Sequence, residues 1–226
     1  MPPESLRPAL AGVCSALSLV VDEQVLDRLL AYLALLQRWN ATYNLTAVRD
    51  PQEMLTQHLA DCLAVVGPLR RQLGSGSARR LLDVGSGGGL PGVVLAVLEP
   101  AWSVTCVDTV GKKAAFIRQA AVELALANLR AEHARVESLK AEPFDLITAR
   151  AFASLPDLVR LTRRLLASGG VWAAMKGKAP EGELAALPPD IEVFHVEPLS
   201  VPGLDAERCL IWMRAAASGA PGLVHS

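Results

Sequence analysis

The residues able to do chemistry sit at a few points between apolar stretches. The densest group is Leu81-Leu82-Asp83-Val84-Gly85-Ser86-Gly87-Gly88-Gly89-Leu90-Pro91-Gly92. A glycine run of this kind lets the chain turn sharply out of a strand and bring a ligand against backbone amides with no side chain between. Two registers fit it. Gly87-x-Gly89-x-x-Gly92 matches the dinucleotide fingerprint, in which a helix N-terminus receives a pyrophosphate. Asp83-x-Gly85-x-Gly87-x-Gly89 puts a carboxylate on the last turn of the strand, beside the cleft, where it suits a cationic ligand. The fingerprint normally begins directly after its strand, and here its first glycine comes late. A second signal is Asp108, at the exit of the next apolar run, where an acid can accept both hydroxyls of a ribose or cap the following helix. Basic residues mark the later exits: Arg135 with Val136 and Glu137, then Arg150, then Lys176.

Other chemistries find little support. Cys14, Cys62, Cys106 and Cys209 are far apart with no CxxC pair, the pattern of reduced thiols, with Cys106 expected in the core. His58, His133, His195 and His225 have no metal-ligand spacing. His133 and His195 lie in or beside strands and read as structural, while for His58, on a helix, a structural role and a face toward RNA both stay open. The net charge is -1, and residues 1–75 and 76–226 are each close to neutral. Residues 146–180, however, carry Arg150, Arg160, Arg163, Arg164, Lys176 and Lys178 against Asp157, which predicts a local basic face able to contact phosphates. The apolar runs are too short to span a bilayer and the N-terminus lacks a signal-peptide pattern, so a cytoplasmic protein is expected.

The elements that must position these residues follow from periodicity. In 226 residues that are 51% hydrophobic there is material for a sizeable core. The first twenty residues carry little signal. From Asp22, the positions Val25, Leu26, Leu29, Leu30, Leu33 and Leu36 form one helical face, ending near Asn40, with a loop over residues 41–49. Asp50 caps a second helix, with Pro51 at its first position, Glu53 three residues after the cap, and the stripe Leu55, Leu59, Leu63, Val66. Gly74-Ser75-Gly76-Ser77 reads as a boundary between a helical extension (1–75) and a second unit (76–226). There, strands at 80–84, 103–107, 129–133, 144–148 and 171–176 alternate with helices at 90–98, 112–126 and 156–167, a Ser168–Gly170 turn preceding the fifth strand. A closing pair at 191–197 and 209–214 reads as a hairpin. This is an α/β fold: a mostly parallel sheet covered on both faces, its last strand antiparallel.

The Asp83 register resembles the first motif of S-adenosylmethionine-dependent methyltransferases, whose ligand carries an amino group and a sulfonium. Four segments carry a closer likeness: Arg38-Trp39-Asn40-Ala41-Thr42-Tyr43-Asn44-Leu45-Thr46-Ala47-Val48 with His58-Leu59-Ala60-Asp61; the loop 83–92; Thr148-Ala149-Arg150-Ala151-Phe152-Ala153; and Val201-Pro202-Gly203-Leu204-Asp205-Ala206-Glu207-Arg208. In these the chain is similar to the glucose-inhibited division protein B family, the small-subunit ribosomal RNA guanine-N7 methyltransferases. It departs where the family has a serine soon after the His58 segment and this chain has Cys62.

The resemblance implies a Rossmann-like class I methyltransferase sheet with an N-terminal helical cap, S-adenosylmethionine as cofactor, and 16S ribosomal RNA or the small ribosomal subunit as partner, with no membrane and no stable protein partner. Gly85 and Leu90 would line the cofactor pocket, Val136 and Glu137 would flank the adenine, and Arg150 would close the pocket where cofactor meets target. Gly87 and Asp108 join them from the loop reading. Arg135 and Lys176 match basic positions supporting RNA or the active site, and Trp39 and Tyr43 could stack on an extruded base, though Trp39 suits the core better. Guanine N7 has a free lone pair, so no side chain is expected as acid or base, and Arg150, Lys176 and Arg135 would act by positioning. Two alternatives stand beside this: a nicotinamide-dependent oxidoreductase, from the other glycine register, and a non-catalytic RNA-binding protein with a relic cofactor fold.

Overall fold

Each strongly apolar run in the second part of the chain becomes a strand. The computed structural model describes residues 3–74 and 76–216, so Ser75 of the boundary segment and His225 lie outside the described residues. The strands are β1 (Arg79–Val84), β2 (Trp102–Asp108), β3 (Leu129–His133), β4 (Phe144–Arg150), β5 (Leu166–Lys176), β6 (Ile191–Pro198) and β7 (Cys209–Ala215). They form one sheet in the order β3-β2-β1-β4-β5-β7-β6. The first five run parallel, while β7 is antiparallel to both of its neighbours, as the hairpin reading required. The switch point, where the order reverses about β1 and β4, puts the carboxyl ends of these strands at one cleft.

The helices are α1 (Arg7–Ala16), α2 (Glu23–Tyr43), α3 (Pro51–Met54), α4 (Asp61–Leu63), α5 (Val66–Leu73), α6 (Gly92–Leu98), α7 (Gly111–Glu123), α8 (Leu155–Thr162) and α9 (Glu181–Ala185). Asp22 caps α2 by accepting Val25 N at 2.8 Å, and Asp50 caps α3 by accepting Gln52 N and Glu53 N. Alternation along the strands divides the interior. Leu81, Val104, Leu146 and Ala173 face a core shared with α1, α2, α6 and α7. Leu82, Val84, Ile147 and Trp172 face the core under α8. The N-terminal helices therefore share continuous packing with one face of the sheet.

Several boundaries differ from expectation, each for a local reason. Helix α1 lies in the segment that carried little signal; its Leu10, Val13 and Cys14 are buried. Helix α2 runs three residues past Asn40, because Asn44 adopts φ 48° and closes it as a left-handed cap. Between α3 and α4 the backbone widens into a π-helical segment, Leu55–Ala60. The Ser168–Gly170 turn falls inside β5: the pairing of β4 with β5 steps from Phe144–Leu166 to Leu146–Val171, so these residues form a bulge.

Helix α6 starts at Gly92, not at Leu90. Gly92 N donates to Asp83 Oδ2 at 2.9 Å in the interior. A Cβ on Gly92 would stand 2.3 Å from Cys106 Sγ and 2.9 Å from Asp83 Oδ2, so only glycine permits this approach. Gly92→Ala is therefore expected to destabilise the fold by about 1–3 kcal/mol through overpacking. Adding Cys106→Ala, which removes the nearer obstacle, should recover part of the loss. Thermal or urea unfolding of the single and double variants checks this; equal losses in both would refute the clash.

Candidate active site

Two cavities adjoin at the carboxyl edge of the sheet. The first, about 550 Å³, is lined among others by Gly85, Gly87, Leu90, Arg150, Lys176 and Arg208. The second, about 370 Å³, is lined by Asp108, Arg135, Val136, Glu137 and Phe152. Gly85, Lys113 and Ala151 belong to both linings. Arg150, Lys176, Arg135, Gly85, Gly87, Leu90, Asp108, Val136 and Glu137 thus each border one of the two cavities. Residues from distant parts of the chain meet there: the glycine loop, the exits of β2 to β5, α2 and the loop after it, the segment around His58 and Asp61, and the stretch before β7.

The glycine loop is held from outside. Gly87 N donates to Asp108 Oδ2 at 2.9 Å, and Val110 N to Asp108 Oδ1 at 2.8 Å. Tyr32 Oη, on α2, donates to Gly88 O at 2.6 Å. Asp108 is buried, with Lys113 Nζ 4.0 Å from Oδ2. Asp108 does not cap α7, whose N-cap is Val110 with no side-chain cap bond; it accepts Val110 N in the turn before that helix, and it borders the second cavity.

Asp83 corrects the sequence reading. It is fully buried and belongs to neither lining, so it does not offer a carboxylate to the cleft. Its Oδ2 accepts Gly92 N, and its Oδ1 is buried without a partner. The same bond removes the dinucleotide register, because a carboxylate already occupies the amide at the start of α6 where a pyrophosphate would dock.

On the other side of the first cavity, Arg150 Nη1 donates to Gln57 O at 3.0 Å and to Asp61 Oδ2 at 3.2 Å. Asp61 Oδ1 accepts Arg208 Nε at 2.9 Å. His58 is largely buried but lines the first cavity; its Nε2 shares a 2.9 Å hydrogen bond with Thr46 Oγ1. Burial, aided by the charge of Arg150, lowers its pKa and keeps the imidazole neutral. Thr46 N donates in turn to Asn40 Oδ1, so the segments that carried the resemblance are hydrogen-bonded to one another. Lys176 Nζ pairs with Glu183 at 2.9 Å. Trp39 packs edge-on to Phe116 at 5.6 Å, a core role, while Tyr43 is exposed.

The basic face predicted over residues 146–180 is split. Arg150 and Lys176 reach the cleft at their strand exits. Arg163 and Arg164, after α8, line neither cavity: Arg163 pairs with Asp190, and Arg164 donates to the Val136, Glu137 and Leu139 carbonyls, bracing the segment that borders the second cavity. Asp61, Arg208, Lys113 and Phe152 went unassigned in the sequence. The signal for Asp61 was present: one acid inside the apolar run Leu59-Ala60-Asp61-Cys62-Leu63.

A doubly wound sheet closed by an antiparallel strand, with a glycine loop at the exit of β1 and an acid at the exit of β2, defines a Rossmann-like class I methyltransferase. Solved structures share this fold at low identity. TrmN from Thermus thermophilus has a TM-score of 0.56 at 22% identity, covering 71% of this chain and 53% of that one. A ribosomal protein L11 methylase from Lactobacillus delbrueckii subsp. bulgaricus has a TM-score of 0.53 at 15% identity, covering 69% and 78%. The family model for rRNA small subunit methyltransferase G (GidB) matches residues 25–211. The ribosomal RNA small subunit methyltransferase G of Leptothrix cholodnii is 64% identical over 208 residues, 92% of this chain and 95% of that one. Its counterpart in Paracidovorax citrulli is 58% identical, covering 97% and 96%. The chain belongs to the rRNA small subunit methyltransferase G family.

Burial lifts the Asp83 pKa from 3.8 to about 6, against the Gly92 N bond and the charge of Arg150, which favour the charged form. Between about pH 4 and 6 the folded protein holds a proton there that the unfolded chain has released. This contribution to stability is complete below about pH 4 and is lost as pH rises through 6. Asp83→Asn, uncharged throughout, removes the dependence. The unfolding free energy of the variant relative to the native protein should rise by an order of 2–3 kcal/mol from pH 4 to 7. Parallel pH trends in the two proteins would show that Asp83 does not titrate there.

Proposed function

We propose that this protein transfers a methyl group from S-adenosylmethionine to N7 of a guanine in 16S ribosomal RNA. The observation that supports this best is the pair of adjoining cavities sharing Gly85, Lys113 and Ala151. Their linings fit an elongated nucleoside-amino acid cofactor. Asp108 would accept the ribose hydroxyls, and Val136 and Glu137 would flank the adenine in the second cavity. Gly85, Gly87 and Leu90 would border the methionyl end in the first, where Arg150 closes the space between cofactor and guanine. When bound, S-adenosylmethionine supplies an electrophilic methyl group on a sulfonium.

What the chain itself contributes is alignment. N7 arrives with a lone pair and no proton to lose, so no general base is needed. The groups on the guanine side suit that reading: His58 is held neutral and bonded to Thr46, while Arg150 is tied to Asp61 and Gln57 O. Arg150, Lys176 and Arg135 act through position and charge. The helical segment through residue 75 serves as a cap, giving the cavity Leu36, Leu45, Thr46, His58 and Asp61, and residues 76–226 form the methyltransferase unit. A 16S rRNA substrate, naked or in the small subunit, places the enzyme in the cytoplasm.

Gly87 has φ 58°, and a Cβ there would meet nothing nearer than Gly85 O at 4.0 Å, so a side chain would grow into open space. Gly87→Asn, a residue that tolerates this backbone region, should keep the fold and weaken S-adenosylhomocysteine binding about tenfold or more by calorimetry. Unchanged affinity would displace the cofactor from the loop. Labelled cofactor incubated with small subunits or 16S rRNA should leave label at a site cleaved by reduction and aniline, as N7-methylguanine is. The single-turnover rate should vary little between about pH 7 and 8.5, without the limb of a titrating base. Label on an exocyclic amine or a ribose hydroxyl would overturn the N7 assignment.

A further inference from the structure

The first cavity is lined by four cationic side chains, Lys113, Arg150, Lys176 and Arg208; Lys176 pairs with Glu183 and Lys113 lies 4.0 Å from Asp108, so the excess falls on Arg150 and Arg208, which share the single acid Asp61. S-adenosylmethionine carries a net positive charge and does not call for that excess. The excess fits an anion arriving with the substrate. Asp61 is 3% exposed and accepts one hydrogen bond on each oxygen, from Arg208 on Oδ1 and from Arg150 on Oδ2. Arg208 Nη1 is turned to Glu207 O and Arg150 Nη1 also reaches Gln57 O. Among the described residues neither Nη2 has a hydrogen-bond partner, so each guanidinium keeps donors while its position is fixed.

We propose that Asp61 is a positioning residue that clamps Arg150 and Arg208 into a guanidinium fork, and that the fork receives a backbone phosphate of the RNA beside the target guanine. This rests on the reading of the protein as an RNA methyltransferase. Planar guanidinium groups match phosphate oxygens in pairs, which a lysine cannot do. The clamp joins parts of the chain 89 and 147 residues apart, so the anion site forms only when the cap, β4 and the stretch before β7 are assembled. The neutral His58 beside it neither adds to the charge nor competes for Asp61.

The test compares the native protein with Asp61→Asn, Arg208→Gln and the double variant, using labelled S-adenosylmethionine and small ribosomal subunits lacking the methyl group. The side-chain amide introduced by Asp61→Asn would retain one acceptor and turn its NH2 toward the other guanidinium, so one arm of the fork is released. Either single variant should raise KM for the subunit about tenfold or more, and Arg208→Gln, which removes a cation, should also flatten the slope of log affinity against log salt by about one. Affinity for S-adenosylhomocysteine should stay within about threefold, because Arg150 keeps its bond to Gln57 O. The double variant should be little worse than the worse single one, since both break one device. The proposal is overturned if KM and salt slope are unchanged. It is equally overturned if kcat, S-adenosylhomocysteine affinity and Tm fall together with the slope preserved, the signature of a structural role. Should Asp61→Asn fail to fold, Arg208→Gln decides alone, its side chain being 27% exposed. A native protein that labels no ribosomal RNA overturns the underlying functional reading instead.

Discussion

The turn from β1 into α6 is held by two carboxylates, and the arrangement of the site depends on them. Asp83, from β1, fixes Gly92 N at the start of the helix; Asp108, from the neighbouring β2, fixes Gly87 N in the middle of the loop. A glycine loop has no side chains with which to pack, so its shape has to come from bonds to its backbone. Gly85 N to Val107 O at 2.9 Å and Tyr32 Oη to Gly88 O complete the set. With the loop fixed, α6 can pack on β2, α2 can dock on the loop, and both cavities acquire their shared wall. The cost is one buried carboxylate with an oxygen left unpaired, which explains its raised pKa.

This frame also separates two kinds of charge. Asp83 and Asp108 act inward, on the backbone. The cations act toward the cleft. Two strand exits place Arg150 and Lys176 there, whereas the arginines that follow α8 line neither cavity, Arg163 pairing with Asp190 and Arg164 bonding the carbonyls that follow β3. A run of basic residues in sequence is therefore a poor guide to a basic surface in an α/β fold, because each helix crosses from one edge of the sheet to the other.

Strand positions and the direction of β7 were legible because buried strands leave apolar runs bounded by glycine, proline and polar residues. So were the caps at Asp22 and Asp50, whose bonds reach only three residues ahead. The sequence was silent where the deciding contact is distant. Nothing local says that Gly92 must meet Cys106, that the Ser168–Gly170 turn is absorbed as a bulge against β4, or that α1 buries a face on the core. Asp83 was misplaced for the same reason: alternation says that a strand residue points to one face, but not whether that face is cleft or interior. Arg150 and Lys176 were found because strand exits in parallel sheets converge. Arg208 follows no parallel strand, and Asp61 hides in an apolar helix, so neither could be placed by that rule.

The Arg150–Asp61–Arg208 triad then raises a question of energy. Removing a carboxylate and two guanidinium groups from water costs about as much as their attraction returns, and apolar groups of similar volume often serve a fold as well or better. Stability alone is therefore a weak reason for such a triad. An apolar replacement would keep the cap packed against the sheet and strip the first cavity of two of its four cations. The triad does something that packing cannot: it holds two guanidinium groups in place with one carboxylate while leaving them a net positive charge. A second buried acid would have neutralised the pair, and none would have left the arginines free to follow solvent. One acid between two arginines is the smallest arrangement that meets both demands.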